Sequence, residues 1–447
     1  MQIQALLTDS YQLAMMQSYL EGGMTESAAF EFFARRMPED RGYLIAAGLE
    51  QLLDYLEGLR FTDEDLAWLN QRGIYRPAFL EYLRHFKFTG DVIAVPEGTP
   101  FFADEPIVRV VAPLPQAQLV ESRLVNILHF QTLIASKAAR CYLVSKQKPL
   151  IEFGMRRAQG AEAALYAARA SYIGGFSATS DVQASERFGI HVSGTMAHSF
   201  IEAHESEEAA FRHFARTQIG PITLLIDTYD TEAGAEKVAR MAPELMAAGV
   251  RLRSVRIDSG DLGEHARRVR AILDSHGLNQ IRIFASGSLD EFEIERLLKQ
   301  GAPIDGFGVG TKLTTSADVP YLDCAYKIQD YAGHPKQKTS EGKATWPGRK
   351  QVWRQKDSCE QYLRDTLRLQ SEEGEGVPLL FPVMRRGRRL EPPTPLEQIR
   401  EHCLSELGHL PPELLRLKGA SDRYPVEISR DIRELSESLK EQVRRAA

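Results

Sequence analysis

Arginines, aspartates, hydroxyl side chains and His198 recur between residues 153 and 311 in short polar pieces, most of them at the end of an apolar run. The pieces are Phe153-Gly154-Met155-Arg156-Arg157, Thr179-Ser180-Asp181, Gly194-Thr195-Met196-Ala197-His198-Ser199 and Asp227-Thr228-Tyr229-Asp230. Arg256-Ile257-Asp258-Ser259-Gly260-Asp261, Ser286-Gly287-Ser288 and Gly306-Phe307-Gly308-Val309-Gly310-Thr311 complete the series. The last piece has three alternating glycines, which expose backbone N–H groups and let an anion approach closely. Thr311 adds a hydroxyl donor. No G-x-G-x-x-G opens a helix here, and Gly310-Thr311-Lys312 lacks the upstream spacing of a Walker loop. A phosphorylated substrate is indicated and a dinucleotide fold is not. Arg156 and Arg157 adjoin Phe153. A guanidinium fork pairs with carboxylate or phosphate, and a ring beside it stacks on a planar group. Together they suit a flat aromatic acid.

Each piece alone has a plainer reading. A lone histidine is more often structural than functional, Asp230 reads as the N-cap of the following helix, and Phe153 beside two arginines reads as a buried ring with surface charges. What joins the pieces is the scaffold beneath them. Apolar runs at Pro149–Phe153, Ile190–Ser193, Ile222–Asp227, Leu252–Ile257, Ile281–Ala285 and Ile304–Val309 alternate with amphipathic helices. The later helices are predicted at Glu232–Ala248, Gly263–His276 and Ser288–Lys299, with Ser288 and Glu291 forming a capping-box pattern. Strand and helix in alternation means parallel β/α units, and several in series favour a barrel. Barrel enzymes carry their sites at the C-terminal strand ends, often with a phosphate near the last strands. All the polar pieces would then face one mouth.

The flanking chain has a different texture. Leu6–Tyr19 reads as a helix, and Thr62 with Asp65 as a capping box. Asp91–Ala112 has strand and turn chemistry, and Gln118–Val144 reads as one long helix. Lys336–Lys350 is basic and loop-like, Leu363–Leu369 alternates as a strand does, and Asp431–Arg444 reads as an exposed helix. The expected division is an α+β domain at 1–115, an α/β barrel bearing the site at 116–330, and a segment 331–447 packing on both.

Composition bounds the partners. A chain of 447 residues with a 43% hydrophobic and 26% charged composition affords a sizeable core. A net charge of −6 argues against broad nucleic-acid or membrane-surface binding. The cysteines Cys141, Cys324, Cys359 and Cys403 form no C-x-x-C pair, so neither a zinc knuckle nor a disulfide framework is indicated. No signal peptide or membrane-spanning run is legible. A cytoplasmic protein is expected.

With the motifs in hand, the chain resembles the nicotinate phosphoribosyltransferases, members of the type II phosphoribosyltransferases. The similarity runs from Thr8-Asp9-Ser10-Tyr11 to Tyr326-Lys327, and is loose beyond about residue 355. Glu152-Phe153-Gly154-x-Arg156-Arg157, Gly194-Thr195-x-Ala197-His198-Ser199 and Asp258-Ser259-Gly260-Asp261 carry it in combination. The resemblance implies an irregular TIM-like α/β barrel joined to a smaller α+β domain. It implies transfer of phosphoribosyl from phosphoribosyl pyrophosphate to nicotinate with ATP hydrolysis, giving nicotinate mononucleotide for NAD synthesis. It implies a homodimer, in which Tyr11 from one subunit stacks on the pyridine opposite Phe153 of the other.

The resemblance also implies roles. His198 matches the histidine that ATP phosphorylates, with Thr195 and Ser199 near the phosphate. Arg256 and Asp258 match positions around ribose and pyridine, and Asp227 lies in the same mouth. Gly287, Ser288, Gly308, Gly310 and Thr311 fall in the 5′-phosphate segments, and Mg²⁺ is expected on the substrate's pyrophosphate.

The nearest rival is a nicotinamide phosphoribosyltransferase. Its relatives carry an Asp where Ser180 stands, and Ser180 favours the acid; a shift of one residue would put Asp181 there instead. A quinolinate-using enzyme, a barrel hydrolase working through Asp258 and Asp261, and an inactive ligand-binding paralogue remain further alternatives. The hydrolase leaves the Gly-Thr segment and His198 unexplained.

Overall fold

The computed structural model describes residues 4–340, 345–420 and 424–446. The chain forms two compact units, Met1–Leu133 with Tyr321–Ala447, and Ile134–Pro320. The boundary falls inside the helix Glu121–Val144, so the middle unit is an insertion between two parts of the other.

The discontinuous unit is built on a seven-stranded sheet in the order His334–Pro335, Cys324–Tyr331, Ser27–Ala34, Val108–Pro113, Asp91–Ala94, Phe381–Arg385, Arg388–Arg389. Ser27–Ala34 is antiparallel to both neighbours, and seven of its eight residues are buried. Its one buried acid, Glu31, accepts from Arg109 at 2.9 Å and pairs with Lys350 at 2.7 Å. A four-stranded sheet contains Lys350–Lys356 and the strand Tyr362–Leu369, which covers the alternating segment. Thr62 and Asp65 close the expected capping box on Asp63–Gln71. The first helix is Ser10–Glu21, starting later than its apolar pattern. The long helix is two, Leu114–Leu119 and Glu121–Val144. The basic loop is described only as far as residue 340 and from 345 onward; part of it lies outside the described residues. Among the described residues no helix is long and apolar enough to cross a membrane.

The middle unit is a six-stranded parallel sheet in the order Ala178–Thr179, Leu150–Glu152, Gly306–Val309, Arg282–Ala285, Leu252–Ile257, Ile222–Leu225. Most of its strand residues are buried, as in strands covered on both faces. Helices Thr231–Ala247, Leu262–Ser275 and Glu291–Lys299 follow successive strands. Two expectations change. Ile190–Ser193 is not a strand: only Val192 makes a single parallel bridge, to Thr179, while His191 and Val192 are exposed. The sheet takes the two-residue strand Ala178–Thr179 instead. Ser288 does not cap the following helix. Asp290 does, its side chain accepting from the Glu293 N–H at 2.9 Å. Ser288 is held at φ 52°, outside a helix's first turn. The parallel order ends at Ala178–Thr179 on one side and Ile222–Leu225 on the other. The architecture is therefore a mixed α/β fold with an open parallel sheet and additional sheets.

Candidate active site

Each parallel strand of the middle unit hands over to a polar segment at its C-terminal end. Leu150–Glu152 leads to Phe153, Ala178–Thr179 to Ser180, Ile222–Leu225 to Asp227, and Leu252–Ile257 to Asp258. Arg282–Ala285 leads to Ser286, and Gly306–Val309 to Gly310. A cavity of about 310 Å³ lies among these ends. Phe153, Arg156, Ser180, Thr195, His198, Arg256 and Asp258 line it, with Met155, Gly194, Met196, Ala197 and Leu225.

Arg256 is its hub. Nε donates to Ser286 Oγ at 2.7 Å, Nη1 to Thr195 Oγ1 at 3.0 Å, and Nη2 to Asp258 Oδ1 at 2.6 Å. Its guanidinium carbon lies 5.5 Å from the Phe153 ring centre. One side chain thus ties the loops after four segments to a fixed positive charge. Asp258 Oδ1 also accepts from Ser286 Oγ at 2.5 Å. Burial works against its negative charge, but Arg256, Ser286 and His198 outweigh it and hold the carboxyl below its ordinary pKa.

His198 opens the short helix His198–Glu202, not the end of a strand, and its side chain is 40% exposed. Nδ1 lies 3.1 Å from Thr228 Oγ1, while Nε2 lies 3.9 Å from Asp258 Oδ2. The ring is oriented by a hydroxyl on one nitrogen and faces a carboxylate with the other.

Asp227 stands behind the cavity. Its Oδ2 accepts from the Asp258 N–H at 2.9 Å and Ser259 Oγ at 2.6 Å, and its Oδ1 is buried without a hydrogen-bond partner. Thr195 is committed to Arg256 and to the Met196 carbonyl.

Ser180 faces the cavity and Asp181 does not line it. Asp181 caps the helix Val182–Phe188, its Oδ1 accepting from the Gln183 and Ala184 N–H groups at 2.9 and 3.1 Å.

The paired arginines separate. Arg156 lines the cavity; Arg157 is exposed and is absent from the lining. Ser199, Gly287, Ser288, Gly308, Gly310 and Thr311 do not line it either. Gly308 is a buried strand residue, and a side chain there would strike the Phe153 ring at 2.5 Å. It provides room for that ring, whereas its sequence pattern predicted an exposed donor. Gly310 abuts the Phe153 carbonyl, a Cβ there lying 2.8 Å away, and Thr311 begins the helical turn Thr311–Thr314 with its side chain exposed. Gly287, at φ 91°, passes so close to the Asp258 carbonyl that any side chain would collide with it. Tyr11, in the other unit, lies on Ser10–Glu21 and is 50% exposed.

Sequence reading missed Ser286 and Thr228. Both stood in strand-end pieces, and that position was the available signal. Ser286 was passed over for its neighbour Ser288, which is exposed.

Family models match almost the whole chain. The nicotinate phosphoribosyltransferase N-terminal domain matches residues 6–129, the family's main domain 149–367 and its C-terminal domain 374–436. A nicotinate phosphoribosyltransferase of Mycobacterium tuberculosis is 45% identical over 429 residues, covering 95% of this chain and 91% of its own. One from Bacillus subtilis is 44% identical over 358 residues, covering 78% and 73%. The crystal structure of the human nicotinic acid phosphoribosyltransferase superposes with a TM-score of 0.85 at 29% identity, covering 97% of this chain and all of that one.

Proposed function

The chain belongs to the nicotinate phosphoribosyltransferase family, and on that premise we propose that it transfers a phosphoribosyl group from phosphoribosyl pyrophosphate to nicotinate, coupled to ATP hydrolysis. The observation that carries this reading is one cavity uniting Phe153, Arg156, Ser180, His198, Arg256 and Asp258. The pyridine ring stacks on Phe153. Arg156 and Arg256 supply positive charge for the carboxylate, and Ser180 supplies a donor. Asp181 is spent on a helix cap and does not line the pocket, so its carboxylate is not beside Ser180 to repel the acid, and the one carboxylate in the lining, Asp258, is paired with Arg256.

In the transfer, the ring nitrogen's lone pair forms the bond to the anomeric carbon. The bond to pyrophosphate breaks, and its electrons leave with pyrophosphate. The sugar is cationic in the transition state, and Asp258, held ionised, faces that charge. The Gly287 turn and Gly310–Thr311 receive the 5′-phosphate. The remaining work is positioning.

His198 takes the terminal phosphate of ATP and releases ADP; water then removes the phosphate. Thr228 orients the ring for this. Mg²⁺ would enter on the substrate phosphates and neutralise their charge there; Asp258 in the lining and Asp227, whose buried Oδ1 has no hydrogen-bond partner, are the acids that would meet it. The enzyme works as a cytoplasmic homodimer with the partner subunit's Tyr11 on the free face of the pyridine. The parallel sheet serves as an irregular barrel within the unit Ile134–Pro320, whose limits replace the 116–330 expected from sequence. A turnover assay with radiolabelled nicotinate, phosphoribosyl pyrophosphate and ATP tests the reading: labelled mononucleotide supports it, and its absence from a folded enzyme refutes it.

A further inference from the structure

Glu152 is buried, precedes the lining residue Phe153 and contributes nothing to the lining itself. Its carboxyl nevertheless joins the loops that form the walls. Oε1 accepts the N–H of Gly154, and Oε2 accepts from Thr179 Oγ1 at 2.6 Å. Its carbonyl accepts the Ser180 N–H at 2.9 Å. Thr179 Oγ1 in turn accepts the Asp181 N–H at 3.0 Å. The main chain of Thr179 donates to the His191 carbonyl at 3.0 Å and accepts from the Ser193 N–H at 2.8 Å. The chain of bonds therefore starts at the Phe153–Arg156 turn, passes through Glu152, and ends on the segment leading to Thr195 and His198.

The turn it secures has no slack on its other side. A side chain at Gly154 would collide with Thr314 and with the Gly310 carbonyl, so the turn rests on the phosphate segment. The Phe153 N–H donates to the Val309 carbonyl at 2.9 Å. A buried carboxyl is an expensive device where packing alone is needed. Burial lifts the Glu152 carboxyl above its usual range, against the lowering effect of Thr179 and Gly154.

We propose that Glu152 is a positioning residue of the nicotinate pocket: its carboxyl fixes the spacing between the Phe153–Arg156 turn and Ser180, and so sets the fit for a planar acid. The inference rests on the substrate reading above. It assigns Glu152 no contact with substrate.

The test uses the purified full-length enzyme and steady-state kinetics with each substrate varied. Glu152→Ala is expected to raise KM for nicotinate about tenfold or more while KM for phosphoribosyl pyrophosphate moves less than about threefold. The preference for nicotinate over nicotinamide narrows. Glu152→Gln restores most of the loss, because its carbonyl accepts from Gly154 and its amide donates to Thr179 Oγ1. Thr179→Val gives the same signature more weakly, and combined with Glu152→Ala it adds less than the sum of the two. If Glu152→Ala does not fold, Thr179→Val decides. A folded variant whose KM for nicotinate stays within about twofold of wild type overturns the inference, as does an equal rise in both KM values. A wild-type enzyme that does not turn over nicotinate overturns the substrate reading, and this inference with it.

Discussion

His198 sits between a hydroxyl and a carboxylate, with Thr228 Oγ1 at 3.1 Å and Asp258 Oδ2 at 3.9 Å. A histidine placed to carry phosphate and one placed only to touch substrate differ in what removal does. His198→Ala should abolish ATP hydrolysis and acid-labile labelling from γ-labelled ATP. Slow, ATP-independent mononucleotide formation should persist, because the anomeric chemistry uses other groups. His191 is the control. It is exposed, so His191→Ala should leave both the label and the melting temperature unchanged. Label surviving in His198→Ala would remove the phosphohistidine from the account. The exposed Thr311 offers a second residue-scale test. Thr311→Val keeps the shape and removes a donor, and KM for phosphoribosyl pyrophosphate should rise about tenfold, the worth of one hydrogen bond to a charged group. A lower melting temperature with an unchanged KM would make Thr311 structural.

At the scale of elements, the parallel strands of three to six residues were legible because an amphipathic helix follows the apolar run in most of them. Asp230 caps its helix as its position implied. What failed was short or ambiguous. Ala178–Thr179 is two residues, too brief for any periodicity, while Ile190–Ser193 looks like a strand but earns only one bridge. The glycines of Gly306–Gly310 spoke for an anion, yet Gly308 is there for the Phe153 ring, a contact made across the sheet and invisible in sequence. The split between Ser180 and Asp181 likewise depends on where a helix begins.

One turn in the discontinuous unit makes a further prediction. Asp104 stands at φ 65° in the turn before Val108–Pro113, and burial pushes its carboxyl up to about 6, with Lys350 pulling the other way. A folded pKa above the unfolded one means stability present at low pH and lost as pH rises through about 6. Asn tolerates the same backbone and carries no charge. Asp104→Asn should therefore raise stability by about 1 kcal/mol at pH 8 and change it little at pH 4. Equal melting temperatures at pH 8 would show that the charge is not strained there.

On the scale of the whole molecule, a net charge of −6 coexists with a site built around Arg256 and Arg156, so the bulk sign of the protein says nothing against an anionic substrate. The proposed dimer predicts complementation. Tyr11→Ala and Arg256→Ala are each expected to be nearly inactive. If Tyr11 acts in the partner's site, co-refolded mixtures should recover up to roughly a quarter of wild-type activity, because half the dimers are mixed and each has one intact site. No recovery would place Tyr11 in its own subunit's site, or outside any site. The central claim, that this cavity selects nicotinate, is tested most directly by kcat/KM for nicotinate and nicotinamide, measured side by side with phosphoribosyl pyrophosphate and ATP. The account predicts a preference for nicotinate of about tenfold to a hundredfold or more, the worth of about 1–3 kcal/mol for an unpaired buried group, and a smaller preference in Ser180→Asp. Equal constants in the wild type, or a preference for nicotinamide, would contradict it.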